Sequence, residues 1–147
     1  MMDMKLLREE LENDEGVINK IYLDHLGYPT FGIGHLVRDT DPEHGAAVDT
    51  PISEARIEEA FLQDMNSVVS DCTKMFKEFI NYPEDVKRVI ANMMFNLGYT
   101  RLNQFNNWKA AIREENWKQA AVEGRDSKWY RQVTNRAERL MKRLENV

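Results

Sequence analysis

From Ser53 to Phe76 the apolar residues Ile57, Phe61, Met65, Val68, Val69, Cys72, Met75 and Phe76 return at intervals of mostly three and four. That spacing keeps one face of an α-helix apolar for about six turns, a rod of roughly 33 Å. Ser53 is a suitable N-cap, and Glu54 lies in the first turn, where a negative charge favours the helix dipole. A helix of that length can connect two lobes. The segments on either side of it differ in kind.

Ahead of it, Met4 to Asn13 reads as a helix with Met4, Leu7 and Leu11 on one stripe, and Asp14-Glu15-Gly16 marks its exit. Ile21-Tyr22-Leu23 and Thr30-Phe31-Gly32-Ile33 read as short strands joined through Asp24–Pro29, with Pro29 unable to donate to a ladder. Residues 38–51 lack periodicity and read as loop. After the long helix, Asn81-Tyr82-Pro83 breaks the pattern. Pro83 then opens a helix in which Val86, Val89, Ile90, Met93, Met94 and Leu97 recur at three and four until Gly98. Ala91, Asn92, Phe95 and Asn96 occupy its other side, which predicts a nearly enclosed helix. Shorter helices are expected around Asn106–Glu114, Trp117–Val122 and Asn135–Leu144. The reading is α+β, mostly α, in two lobes: a small N-terminal lobe with a short antiparallel sheet, a long connecting helix and a helical C-terminal lobe.

Charge is distributed unevenly. Residues 1–64 hold 5 Lys and Arg against 15 Asp and Glu, whereas residues 65–147 hold 15 against 10. The basic density peaks at Arg125, Lys128, Arg131, Arg136, Arg139, Lys142 and Arg143, which can steer an anionic polymer or simply form a solvated helix face. No apolar run approaches the roughly 18 residues of a membrane span, so stable membrane insertion is not expected. The N-terminal charges Arg8, Glu9, Glu10 and Glu12 argue against a signal peptide and for synthesis in a host cytoplasm. One cysteine, Cys72, falls on an apolar stripe and reads as core. No His, Cys or Asp spacing suggests a metal site, and no cofactor is expected.

Glu15 and Asp24 lie nine residues apart, followed by Thr30 and by Gly32-Ile33-Gly34-His35. This puts one carboxylate at a helix terminus, another on a hairpin and a hydroxyl beside a glycine-relieved strand. Two carboxylates flanking a cleft are the minimum for breaking a glycosidic bond: one protonates the leaving oxygen, the other serves a water or the sugar carbon. Taken singly, each residue has an ordinary alternative as a helix-end carboxylate, a turn aspartate or a strand threonine.

The run "DEGVINKIYLDHLGYPTFGIGHL" resembles the active-site segment of the T-even phage lysozymes, glycoside hydrolases that cleave bacterial peptidoglycan. The resemblance continues in order through "NMMFNLG" and "SKWYRQVTNRAERL", with a shortening between His35 and Ser53. It implies a single lysozyme-like domain over residues 1–147, with an N-terminal lobe of about 14–60 and a helical lobe of about 65–147 plus helix 3–13. It implies Glu15 as general acid, with Asp24 and Thr30 positioning and activating a water for attack with inversion. Arg136 and Asp14 are then the acid-orienting residues. Leu36 and Phe95 match substrate-binding positions of the family; Trp108 and Glu123 occupy two more but differ in type, Trp108 being equally suited to stack on a pyranose or to fill core, and Asn96 stands for a longer amide. His35 is implied to pair with Asp64 as a structural ion pair.

The function implied is a monomeric muramidase cleaving between N-acetylmuramic acid and N-acetylglucosamine for host-cell lysis. A free lysis enzyme of this kind depends on a pore-forming holin to reach the wall. Two alternatives stand beside it. "GYPT" and "GRDSKWY" also resemble the lysozyme domain of phage tail devices, which open the wall when infection begins. A non-catalytic helical adaptor, binding nucleic acid or membrane through Arg131–Arg143, would leave Glu15, Asp24 and Thr30 coincidental, and no helix-turn-helix is recognisable, so nucleic acid is not the expected partner.

Overall fold

Three short strands follow the first helix, and every element after them is helical. The computed structural model describes residues 2–147. Its elements are α1 (Met4–Glu15), β1 (Ile18–Leu23), β2 (Pro29–Gly32), β3 (His35–Leu36), α2 (Glu54–Met75), a 3-10 turn at Phe79–Asn81, α3 (Glu84–Leu97), α4 (Tyr99–Leu102), α5 (Asn106–Arg113), α6 (Trp117–Arg125), α7 (Lys128–Gln132) and α8 (Thr134–Glu145). This is the expected α+β, mostly α class. Two units divide the chain: Arg8–Ser67, and Val68–Val147 with the segment that ends at Leu7. Both α1 and α2 therefore contribute residues to each unit. No described helix is long and apolar enough to cross a membrane.

In the unit Arg8–Ser67, three antiparallel strands lie in the order β1-β2-β3. Ile18 pairs with Gly32, Tyr22 with Thr30 and Leu23 with Pro29, with an irregularity between Ile18 and Tyr22. Thr30 then pairs with Leu36, and Phe31 with His35. The third strand was not expected, and two residues are too few to give a period. β1 starts earlier than its apolar residues suggest, because the ladder reaches back to Ile18. Ile21, Phe31 and Ile33 are buried with Leu11, Ile57 and Phe61. A Cβ at Gly32 would sit 3.0 Å from Cγ2 of Ile57, so β2 lies directly on α2.

His35 anchors this unit. Its Nδ1 lies 2.7 Å from Oδ2 of Asp64, as expected, and its Nε2 lies 2.7 Å from Oδ2 of Asp41 in the loop. Two carboxylates facing the two ring nitrogens require both nitrogens to donate, which makes the ring an imidazolium. Burial opposes charge on this ring, but the two carboxylates outweigh it and hold the His35 pKa above its ordinary range. Arg38 donates to Asp64 (2.9 Å), and Arg56 donates to Glu43 (2.8 Å) and to Asp41 (3.2 Å). Burial likewise opposes the Asp41 charge, yet the Arg38 backbone N–H, His35 and Arg56 bring its pKa below the usual carboxylate range. The aperiodic residues after β3 are thus tied down by charge.

In the helical unit α3 is central: Val86, Val89, Ile90, Ala91, Asn92 and Met93 are all fully buried. Its N-terminal Glu84 accepts a 2.6 Å hydrogen bond from the backbone of Asp3. α8 packs on α3, α6 and α7, and α5 packs on α6. Gly124 is where α6 and α8 meet, since a Cβ there would collide with the Met141 sulfur. Leu7 and Leu11 of the first helix are buried as expected, but Met4 is exposed and Met2 is buried instead. α4 and α7 were not expected; at 4 and 5 residues they are set by neighbouring contacts, not by period.

Replacing His35 with Asn leaves Asp64 and Asp41 facing a neutral amide, which is expected to cost about 3–5 kcal/mol, the range for breaking a buried ion pair. The raised His35 pKa contributes stability fully below its ordinary 6.5 and loses it as pH rises through the folded value. The lowered Asp41 pKa contributes above its ordinary 3.8 and loses it as pH falls through the folded value. Urea midpoints of parent and His35→Asn should therefore differ most between those two ordinary values and converge at alkaline pH. A gap that does not change with pH would contradict the imidazolium.

Candidate active site

Glu15 is the last residue of α1, half-buried, and Gly16 (φ +76°) turns the chain away toward β1. Its carboxyl lies against the turn between β2 and β3. A Cβ built at Gly34 would stand 2.8 Å from Oε1 of Glu15 and 3.0 Å from its Cδ and Cγ. Gly34 also has φ +60°, a conformation that costs an L-residue roughly 1–2 kcal/mol. Two demands therefore meet at one glycine: the turn needs left-handed backbone, and the acid needs the space. Asp14, the preceding residue, is also half-buried.

Asp24 follows the last residue of β1 and closes the hairpin. Its Oδ1 accepts from the backbone N–H of Leu26 and of Tyr28, each at 2.9 Å. Its own N–H donates to the Tyr28 carbonyl and its carbonyl accepts from Gly27, both at 2.9 Å. One carboxylate oxygen thus orders the turn, and Oδ2 is left to take a proton. Thr30 is buried on β2, and its hydroxyl donates to the Tyr28 carbonyl at 3.0 Å. With its hydrogen engaged there, the Thr30 oxygen can only accept from a further group. A water held by Asp24 and Thr30 would meet two acceptors and keep a lone pair for attack. Leu36 pairs with Thr30 and is half-exposed, so it extends the same sheet face with an apolar surface.

The other expected residues lie in the helical unit. Arg136 is half-buried on α8, and its Nε donates to Oδ1 of Asn92 at 3.0 Å. Asn92 was not singled out as a site residue. A polar side chain on an otherwise buried helix was the signal, because such an amide needs a partner. Phe95 is half-buried near the end of α3, and Asn96 accepts from the indole of Trp129 at 2.7 Å. Glu123, half-buried on α6, accepts from Gln119 at 3.0 Å.

Trp108 requires a correction. Expected to contact substrate, it is 1 % exposed and packs edge-on to Phe76 and Phe105, with ring centroids 5.6 and 6.4 Å away. No ring face remains for a pyranose, so Trp108 is a core residue. Its indole N–H finds no acceptor among the described residues. An open cavity of about 340 Å³ lies over this region, lined in part by Phe105, Asn107, Trp108, Glu123, Asp126 and Lys128. The basic density near the C-terminus is also less free than its sequence suggests. Arg125 pairs with Glu138 at 2.6 Å and with Glu145, and Arg143 reaches Asp85 at 3.3 Å. Among the described residues, no group of three His, Cys, Asp or Glu side chains is arranged to hold a metal ion.

The family described as phage lysozyme matches residues 12–146. The pre-baseplate central spike protein Gp5 of Enterobacteria phage T4 is 28% identical over 152 residues, which cover 91% of this chain and 26% of that protein. A probable T4-type lysozyme 2 of Dictyostelium discoideum is 28% identical over 159 residues, covering 95% of this chain and 93% of that one. A peptidoglycan hydrolase, gp36 of Pseudomonas phage phiKMV, is 28% identical over 137 residues, 93% of this chain and 15% of its own. The chain is thus similar to one relative along nearly all of that relative's length and to a minor part of the other two.

The contact between Gly34 and Glu15 is open to a direct test. Gly34→Ala should leave a folded protein with a lowered melting temperature and a displaced carboxyl. A misplacement on the order of 1 Å can cost about a hundredfold in rate, so hydrolysis of bacterial walls should fall by a factor of ten to about a hundred. Activity within twofold of the parent would mean that the position of Glu15 does not matter to the reaction.

Proposed function

Because the chain belongs to the phage lysozyme family and so to the glycoside hydrolases, we propose that it is a peptidoglycan muramidase. It hydrolyses the β-1,4 bond between N-acetylmuramic acid and N-acetylglucosamine. The observation that carries this reading is the hydrogen-bonded unit at Asp24: Oδ1 is held by two backbone N–H groups, one of them from Tyr28, whose carbonyl takes the Thr30 hydroxyl. Such a unit suits a base acting on a water. Glu15 supplies the proton to the leaving oxygen, with Asp14 beside it in sequence, and Leu36, opposite Thr30 on the sheet, contacts substrate. Attack by a water on the face opposite the leaving group inverts the anomeric carbon.

Glu15→Gln conserves shape and removes the transferable proton. Wall turbidity clearance should fall at least about a hundredfold, the lower range for general acid catalysis, with the circular dichroism of the parent. A folded variant with near-parent activity rules out the assignment. Asp24→Asn retains an oxygen for the Leu26 and Tyr28 N–H groups, so the hairpin should survive while hydrolysis is lost and fragment binding persists. Proton NMR of fresh product should show the inverted anomer; the retained anomer would make Asp24 a nucleophile and remove the water from Thr30.

For the biological role we propose host-cell lysis, in which a pore-forming holin gives access to the wall. The similarity to a central spike protein favours a second role, opening the wall at the start of infection. Antibody detection in purified virions against the soluble lysate separates the two: virion-bound protein supports the spike-like role, and protein in the lysate alone supports lysis.

A further inference from the structure

Three residues stand in one row across the sheet: Tyr22 on β1, Thr30 on β2 and Leu36 on β3. Tyr22 is the partner of Thr30, and Thr30 is the partner of Leu36. Directly opposed residues of antiparallel strands project to the same face, with Cβ atoms about 4.5–5.5 Å apart. The side chain of Tyr22 therefore flanks Thr30 on the edge away from Leu36. Asp24 lies two residues further on, just past the end of β1 where the hairpin turns. Tyr22 is half-buried, and its hydroxyl bonds to no described residue.

The phenol of Tyr22 is influenced by both carboxylates. Burial pushes its pKa up first, and the negative charges of Glu15 and then of Asp24 push it further in the same direction. Among the described tyrosines, Tyr22 alone is shifted by these two residues. A phenol raised above its ordinary 10.0 remains O–H throughout the neutral range, and so remains a donor.

The chemistry on this face is otherwise short of donors. Asp24 Oδ2 accepts, and the Thr30 hydrogen is directed to the Tyr28 carbonyl. An N-acetylated pyranoside brings acceptors of its own: the ring oxygen, the glycosidic oxygen and the acetamido carbonyl. We propose that Tyr22 is a substrate-contacting residue whose phenolic O–H donates a hydrogen bond to an oxygen of the sugar being cleaved. This rests on the muramidase reading of Glu15 and Asp24. The ring gives this donor a fixed origin, since its backbone is paired in the sheet beside Thr30.

The test is Tyr22→Phe, which removes one hydroxyl and keeps the ring. On soluble peptidoglycan oligomers kcat/KM should fall about 3- to 10-fold, as expected for one neutral hydrogen bond, with the melting temperature of the parent. In a Glu15→Gln background, where oligomers bind without turnover, calorimetry should show the same direction of loss in Kd when Tyr22→Phe is added. A Tyr22→Phe protein within twofold of the parent in both measurements overturns the proposal. So does a loss of activity that only follows a fall in folded fraction, with parent activity per folded molecule. The two readings fail separately. If Glu15→Gln keeps its turnover, the muramidase reading falls; if it is inactive while Tyr22→Phe matches the parent, only the contact at Tyr22 falls.

Discussion

A charged imidazole between two carboxylates holds the small unit together. His35 is the first residue of β3, Asp64 belongs to α2, and Asp41 lies in the loop between these two elements. A strand of two residues has too few ladder bonds to persist by itself. The ion pairs supply what the ladder lacks. By holding β3, they hold Leu36 opposite Thr30 and support the turn that contains Gly34. That turn borders Glu15. The placement of the Glu15 carboxyl thus depends on a charge cluster outside the proposed catalytic set. Buried charges are tolerated here because each has a partner: Arg38 serves Asp64, and Arg56 serves Asp41 and Glu43.

Long-period features were legible in the sequence, and features fixed by contact were not. The apolar repeats of α2 and α3 cover 22 and 14 residues, enough for helical spacing to exclude a strand. The carboxylate of Glu15 was expected at a helix exit and lies there. β3, α4 and α7 offer too few residues for any period, and their backbone is chosen by what surrounds them. Asp41 resembled any turn aspartate until the fold brought it to His35. The error at Trp108 has a related cause. An aromatic at a cleft-like position invites stacking, but ring size also suits a core, and only burial distinguishes them.

Charge shows the same distinction between composition and arrangement. The C-terminal stretch from Arg125 onward is rich in cations, which suggests a face for an anionic polymer. In the helical unit several of these cations already have acidic neighbours: Arg125 faces Glu138 and Glu145, and Arg143 faces Asp85. Cations paired in this way attract a distant polyanion weakly, because their fields cancel beyond a short range. With a formal net charge of −5 overall, recognition of a wall polymer has to rest more on local hydrogen bonds and apolar contact than on long-range attraction.

Asp24 shows how few atoms separate structure from chemistry in such a site. Its Oδ1 replaces a missing backbone acceptor for Leu26 and Tyr28, which stabilises the hairpin. The same bonds restrict rotation of the carboxylate. The Tyr28 carbonyl does similar double duty, receiving the Asp24 N–H and the Thr30 hydroxyl together. Turn, carboxylate and hydroxyl are therefore one hydrogen-bonded unit. A water between Asp24 and Thr30 would be positioned by groups that the hairpin has already immobilised, so little ordering remains to be done when the sugar arrives. Glu15, at the end of the neighbouring helix, lies against the turn at Gly34, where a side chain would take its space.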